Sequence, residues 1–415
     1  MGALRETTST PLDPPRLQVA KTVLETIAPR LFRDVEGQTR GGGVSAGSAG
    51  LLIAVNPLNE FLGSSSAGLT KNLAALTLRR LESERHPVGL ASGLAGITFA
   101  LQSVCDELPK LLETVESLKT LVSSTIKNSW ISVRGPWSRY DWVSGLAGIC
   151  GIGTFAESRT LNHLADAWNA RSTQVIFTEA VDMPESMRNA YPGGGINTGL
   201  AHGVAGLIAA FSFSLTMEPD QPKVRHALKS LCRWLRSTMI VDRAGVRGWP
   251  SIASVDQGVI VYGGSWCYGA SGIALVLSQA AEILEDDVMI EEAESIMRDV
   301  YIFLRKSDGG STPMLCHGTA GTAMVALKFF SRSAASEHRD GLRMLFDRIM
   351  ASFSNDFPIC FRFDDRPGVD MNRIHFLEGA TGTALALAAI VDGHLPRWSR
   401  LLGIDDGLSC ISGRP

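Results

Sequence analysis

The chain has 415 residues, 45% of them hydrophobic and 20% charged, enough apolar material for a large core. Its net charge of −3 excludes a general attraction to nucleic acid, and no apolar run approaches the ~20 residues of a membrane helix. Seven cysteines scattered through a long chain fit reduced thiols rather than a disulfide framework.

The start, Met1 to Pro15, is polar and proline-bearing and resembles no secretory signal, so the expectation is a soluble, cytoplasmic protein whose residues 1–14 form a flexible N-terminal segment. Amphipathic helical patterns then recur near residues 15–33, 69–83, 109–128, 159–171, 221–239, 287–306 and 339–353. In the sixth, Glu291, Glu292, Glu294, Arg298 and Asp299 interleave with Ile290, Ala293, Ile296, Met297 and Val300. Each pattern is followed by a Gly-x-x-Gly that opens a small, apolar helical run. The copies are Gly47 to Gly50, Gly93 to Gly96, Gly145 to Gly148, Gly203 to Gly206, Gly269 to Gly272, Gly318 to Gly321 and Gly379 to Gly382. Their spacing describes a structural repeat of roughly 50 residues. The longest irregular piece, Asp182 to Leu200 with Gly193, Gly194 and Gly195, reads as a mobile loop, and residues 401–415 read as a C-terminal tail.

A helix pair that hides one face is not stable alone, but seven pairs closed in a circle bury every inner helix behind an outer one. The predicted fold is all-α: one α/α toroid of seven inner and seven outer helices over residues 15–400. The glycine motifs then crowd around one mouth of the barrel, where the chain turns tightly and helix ends approach closely. Function falls to the residues placed just before the glycines.

Cys267 and Cys316 both stand two residues before a motif glycine in neighbouring repeats, and His317 follows Cys316. Two thiolates and an imidazole leave tetrahedral zinc one open position, the arrangement of catalytic sites; two buried cysteines and a capping histidine are the bland alternative. His202 directly precedes Gly203 and has three readings: a fourth metal ligand, a general acid or base, or a helix-start histidine. Asp141, four residues before Gly145, either orients His202 or caps a helix. Trp266 and Tyr268 flank Cys267 and either wall the pocket or pack; His375, four residues before Gly379, either faces the cleft or, the favoured reading, is a solvated loop histidine. Besides Asp141, the only carboxylate adjacent to a motif is Glu378, which argues against the paired carboxylates of a glycosidase or lyase.

Taken together, Trp266-Cys267-Tyr268-Gly269, Cys316-His317-Gly318, Gly199-Leu200-Ala201-His202-Gly203 and the aspartate of Asp141-Trp142-Val143-Ser144-Gly145 resemble the lanthionine synthetase C-like family, the cyclases of lanthipeptide biosynthesis. The seven-repeat layout extends the resemblance over essentially the whole chain. It implies an α/α toroid and a Zn2+ enzyme that joins cysteine thiols to dehydroalanine or dehydrobutyrine in a precursor peptide. By the same resemblance Cys267, Cys316 and His317 hold the zinc, and His202 protonates or stabilises the enolate with Asp141 behind it. The implied partners are a dehydrated precursor peptide, leader and core, and a separate dehydratase or biosynthetic complex. Two other readings stand beside it: addition of a small thiol such as glutathione to dehydrated residues, and a peptide-binding scaffold whose zinc only staples the mouth. One departure is plain: bacterial members carry an arginine four residues before the zinc cysteine, where this chain has Gly263.

Overall fold

The structure is a computed structural model that describes residues 10–63, 68–128, 135–155, 158–254, 260–261, 263–307, 312–363 and 373–405. Outer and inner helices alternate along it. The outer set is α1 (Pro14–Leu31), α3 (Leu69–Ser83), α5 (Leu112–Asn128), α7 (Ser158–Arg171), α9 (Pro222–Ser237), α11 (Asp287–Lys306) and α13 (Ser336–Met350). The inner set is α2 (Ser48–Leu58), α4 (Leu94–Gln102), α6 (Leu146–Gly151), α8 (Val204–Met217), α10 (Ala270–Leu284), α12 (Thr319–Ser333) and α14 (Ala380–Asp392). Burial follows the sequence pattern. In α8 every residue from Val204 to Leu215 is buried, whereas α9 buries only Val224, Ala227, Leu228, Leu231, Cys232 and Leu235, the stripe of a surface helix.

The circle closes because α14 packs against α2 while the first outer helix, α1, covers α14. Thr10 Oγ1 donates to the Ile390 carbonyl, and the Arg16 guanidinium reaches both Asp347 oxygens at 2.8 and 2.7 Å. This is the α/α toroid of seven inner and seven outer helices, with the inner helices starting at one common mouth.

Main-chain hydrogen bonds rim that mouth. Ser45 N donates to Ala91 O, Ala91 N to Val143 O, Val143 N to Ala201 O, and Ala201 N to Cys267 O. Cys267 N donates to Cys316 O, Cys316 N to Leu377 O, and Phe376 N returns to Ser45 O, all between 2.7 and 3.2 Å. Each bond joins residues just before the glycine motif in neighbouring repeats.

The Gly-x-x-Gly signature follows from this ring. The first glycine is an extended N-cap without a side-chain hydrogen bond, as at Gly93 and Gly318. The opening helix N–H groups are taken instead by a carbonyl seven residues upstream. Leu94 N donates to Pro87 O, Ala147 N to Tyr140 O, Ala270 N to Gly263 O and Thr319 N to Thr312 O. A Cβ on the second glycine would run into the carbonyl of Val44, Leu90, Trp142, Leu200, Trp266, Leu315 or Phe376, six residues earlier in each copy. Those same seven residues turn their side chains into the barrel. They are buried, and each packs over the second glycine of the next repeat, as Trp142 does on Gly206 and Trp266 on Gly321.

The stretch expected as a mobile loop, Asp182 to Leu200, is instead tied down by strand pairing. Thr178 bridges Gly195, and β1 (Ile196–Asn197) pairs with the Ile252–Ala253 strand. Tyr191 is buried, with its hydroxyl 3.2 Å from Ser251 Oγ. At the chain ends, Thr10 to Asp13 and Leu401 to Asp405 pack on the toroid, with Leu12, Leu401, Leu402 and Ile404 buried; the rest of the expected N-terminal segment and C-terminal tail, 1–9 and 406–415, lies outside the described residues. The described cysteines are all free, and no helix among the described residues is long and apolar enough to cross a membrane.

Alanine in place of glycine normally stabilises a helix by about 1 kcal/mol. Gly148→Ala is expected to do the reverse and lower stability by about 2 kcal/mol or more, because its methyl group meets the Trp142 carbonyl. Urea denaturation of the two proteins measures the difference.

Candidate metal and acid–base site

The bond from Cys267 N to Cys316 O, 3.1 Å long, sets two cysteines of neighbouring repeats side by side on the rim. Their sulfurs and a ring nitrogen of His317 all lie within 4.8 Å of one another, the only such metal-capable grouping found among the described residues. Cys267 is buried, Cys316 partly so, and His317 is open to the mouth.

The two thiols share a proton. The hydrogen bond from Cys316 pulls the Cys267 thiol down to about 5 against the opposing effect of burial, and His317 and Ser265 act in the same direction. The same bond, with burial, pushes Cys316 well up. Contact with Cys267 raises His317, and Glu378 adds to it, while burial and Arg373 oppose. Arg373 and Glu378 lie 4.0 Å apart beside this cluster. Two converging sulfurs and an imidazole nitrogen, whose protons would be released to solvent when their lone pairs bind a cation, are a donor set that fits zinc.

His202 lies next to this group but outside it. Its Nδ1 is 2.6 Å from Asp141 Oδ2, and Asp141 is fully buried. The other carboxylate oxygen accepts from Ser144 N at 2.6 Å and Gly145 N at 2.8 Å. Of the two readings of its sequence position, Asp141 takes the first: one oxygen holds His202, while the other braces the turn at Ser144 and Gly145 ahead of α6 and leaves the helix itself without a side-chain cap. Accepting from Nδ1–H, it leaves Nε2 as the imidazole's working nitrogen.

Tyr268 completes the wall between His202 and Cys267. Its ring centroid is 6.1 Å from that of His202, and the Trp137 ring stands 6.4 Å from the same imidazole. Burial pushes the phenol up to about 12; the hydrogen bond from Asn197 opposes this, and the charges of Cys267, Asp141 and Cys316 reinforce it. Asn197 is itself buried; its amide donates to the Tyr268 hydroxyl at 3.2 Å, and its oxygen accepts from Gly199 N. The phenol is thus a fixed, neutral hydrogen-bond donor.

Trp266 departs from the expectation that it walls the pocket. It is a member of the inward-facing layer, buried to 1% exposure, and its indole donates to the Leu402 carbonyl at 2.7 Å. Gly263 offers no room for a side chain either: a Cβ there would sit 2.8 Å from the Phe303 ring. Its carbonyl caps α10 instead. His375 is partly buried in the turn before α14. Three participants were not identified from the sequence: Trp137, Asn197 and Ser265, whose hydroxyl lies 3.7 Å from Cys267 Sγ. Asn197 stands six residues before Gly203 and Ser265 four before Gly269, the phase of Asp141, so both have a fixed place in the repeat; Trp137 has none.

A sequence profile described as "Lanthionine synthetase C-like protein" matches residues 39–402. The protein "Nisin biosynthesis protein NisC" of Lactococcus lactis subsp. lactis is 23% identical over 324 residues, covering 72% of this chain and 73% of that protein. A solved structure titled "Nisin cyclase" superposes with a TM-score of 0.69 over 94% of this chain and 98% of that one, at 17% identity, a likeness of fold.

The 2.6 Å contact between His202 and Asp141 has a spectroscopic consequence. The Nδ1 proton of His202 is expected far downfield and slow to exchange in the proton NMR spectrum, and absent from that region in Asp141→Ala. A spectrum unchanged by that substitution would rule the pairing out.

Proposed function

The chain belongs to the lanthionine synthetase C-like family of thioether-forming peptide cyclases, and on that premise we propose that it is a zinc-dependent enzyme closing (methyl)lanthionine rings in a dehydrated precursor peptide. One observation carries the reading: a Cys267–Cys316–His317 donor set opens onto the same mouth as an Asp141-held His202. A purely stapling metal would leave that histidine pair without a task, which weighs against the scaffold reading.

Zinc bound by Cys267, Cys316 and His317 supplies a Lewis-acidic position at which a substrate thiol ionises near neutral pH. The chain's own residues account for the rest. The thiol sulfur adds to the β-carbon of dehydroalanine or dehydrobutyrine, so the S–C bond forms as the C=C electron pair moves toward the adjacent carbonyl. The enolate then takes a proton at the α-carbon from His202 Nε2. Asp141, hydrogen-bonded to Nδ1, fixes the ring's orientation and keeps Nε2 toward the substrate. One proton leaves the thiol and one reaches carbon, so none is consumed. Tyr268, neutral and held by Asn197, is placed to donate toward the developing enolate oxygen, and Trp137 screens water from the imidazole. Binding thiol and alkene in one cleft lowers the entropic barrier to ring closure.

The alkenes must be made by a dehydratase acting on the same precursor, proposed here as a separate chain. The thiols at the mouth, outside any disulfide, support a reducing compartment, and the cytoplasm is the one proposed.

Elemental mass spectrometry after dialysis without chelator should find about one zinc per chain in the wild type and none in Cys267→Ala or Cys316→Ala. A folded, zinc-free wild type would remove the metal from the reading. His202→Asn should keep its zinc and slow cyclisation of a pre-dehydrated peptide about 10²- to 10⁴-fold. Full-rate ring closure by that variant would sink the acid assignment.

A further inference from the structure

The inward-facing layer below the mouth consists of Val44, Leu90, Trp142, Leu200, Trp266, Leu315 and Phe376. Only two of the seven carry a polar group, and both belong to repeats that supply the site: Trp142 follows Asp141, and Trp266 precedes Cys267. Their indoles reach consecutive carbonyls of one segment. Trp142 Nε1 donates to Leu401 O at 2.9 Å, and Trp266 Nε1 to Leu402 O at 2.7 Å. That segment, a short helical turn Arg397–Leu402 continuing to Asp405, fills the barrel beneath the mouth with Leu401, Leu402 and Ile404 buried.

The segment is itself pinned from two inner helices. Gln279 of α10 donates to Gly403 O at 3.0 Å and accepts from Asp405 N at 2.8 Å; Lys328 of α12 donates to Asp405 O at 3.0 Å. We propose that Arg397–Asp405 is a positioning element for the site, setting Asp141 and Cys267 through its hydrogen bonds to Trp142 and Trp266.

The physical need for it lies in the mouth's composition. Asp141 and Cys267 sit in short turns running into Gly145 and Gly269, glycines that offer no side chain to pack against. An indole tethered at one end by a buried hydrogen bond and at the other by its own Cα restricts the peptide units on either side of it. Those units aim the Asp141 carboxylate at His202 Nδ1 and the Cys267 sulfur at Cys316 and His317. If the segment were filler alone, a phenyl ring would serve as well, as it does at Phe376.

The inference rests on the cyclase reading, and its test separates the two. Trp142→Phe and Trp266→Phe, made in the full-length protein with cobalt(II) in place of zinc, keep an aromatic ring and lose the donor together with part of the ring volume, a loss that the Trp249→Phe control matches. Trp249→Phe is the control: Trp249 is equally buried, and its Nε1 donates to Leu235 O at 2.9 Å, away from the mouth. Trp266→Phe should shift the visible cobalt bands and release cobalt to a chelator about fivefold faster. Trp142→Phe should leave those bands intact and lower kcat about fivefold at unchanged KM, the scale of one lost buried hydrogen bond. Trp249→Phe should lower Tm and change neither readout. Gln279→Leu, which frees the segment without touching either tryptophan, should reproduce both effects if a tryptophan variant fails to fold. Should Trp142→Phe and Trp266→Phe behave like Trp249→Phe, the segment is a plug and the proposal is wrong. A wild type that binds cobalt but cyclises no dehydrated peptide overturns the cyclase reading instead, and the cobalt bands of Trp266→Phe still decide the tether.

Discussion

The ring of main-chain hydrogen bonds around the mouth is the constraint on which the rest of the structure depends. A toroid of helices has no ladder of its own, and helix packing alone leaves the start of each inner helix free to slide along its neighbour. The ring removes that freedom by joining equivalent positions, so each repeat is locked in phase with the next. Both motif glycines are consequences. The first sits where the rim turns into a helix capped by an upstream carbonyl, and the second where that helix passes under the rim residue three places before the first.

Phase locking also divides labour among the rim residues. Those three places before the first glycine point into the barrel and are apolar in all seven repeats, including both indoles. Those one place before it are Ala46, Ser92, Ser144, His202, Tyr268, His317 and Glu378, and none is buried. The side chains one place before the glycine thus edge the mouth, small in repeats one to three and ionisable or phenolic in repeats four to seven, with Cys267 and Cys316 one place further back and Asp141 three places further back. Because Cys267 and Cys316 exchange a rim hydrogen bond, their sulfurs meet without any Cys-x-x-Cys spacing. Burial then makes the meeting consequential: at low local dielectric the hydrogen bond between the two thiols is stronger than it would be in water.

The repeat made the architecture legible in the sequence. The seven amphipathic stretches fall within a few residues of the outer helices, and the glycine motifs mark the start of every inner one. The positions of Cys267, Cys316, His317, His202 and Asp141 could be read because they are fixed by phase relative to a glycine. What escaped is what phase does not specify. Trp266 had two readings, pocket wall or packing, because it adjoins Cys267; three places before the glycine its side chain is buried in the inward-facing layer. Asp182 to Leu200 looked loose because its glycines and prolines show no helical period, yet its order comes from pairing with residues 252–253, a partner remote in sequence. Trp137 reaches His202 through the three-dimensional course of a single turn between repeats, which no spacing rule records.

Closure draws remote parts of the chain together. The last rim bonds, Cys316 N to Leu377 O and Phe376 N to Ser45 O, connect repeats six, seven and one, and α1 covers α14 across nearly the whole chain length. Loop-closure entropy grows only logarithmically, so contacts this remote cost little more than nearer ones once several form together. The metal-capable group sits in repeats five and six and the acid–base pair in repeats three and four, and the rim bond from Ala201 N to Cys267 O sets the two halves side by side. The toroid is closed at its rim and by its first helix, and Arg397–Asp405 binds both indoles beneath the site.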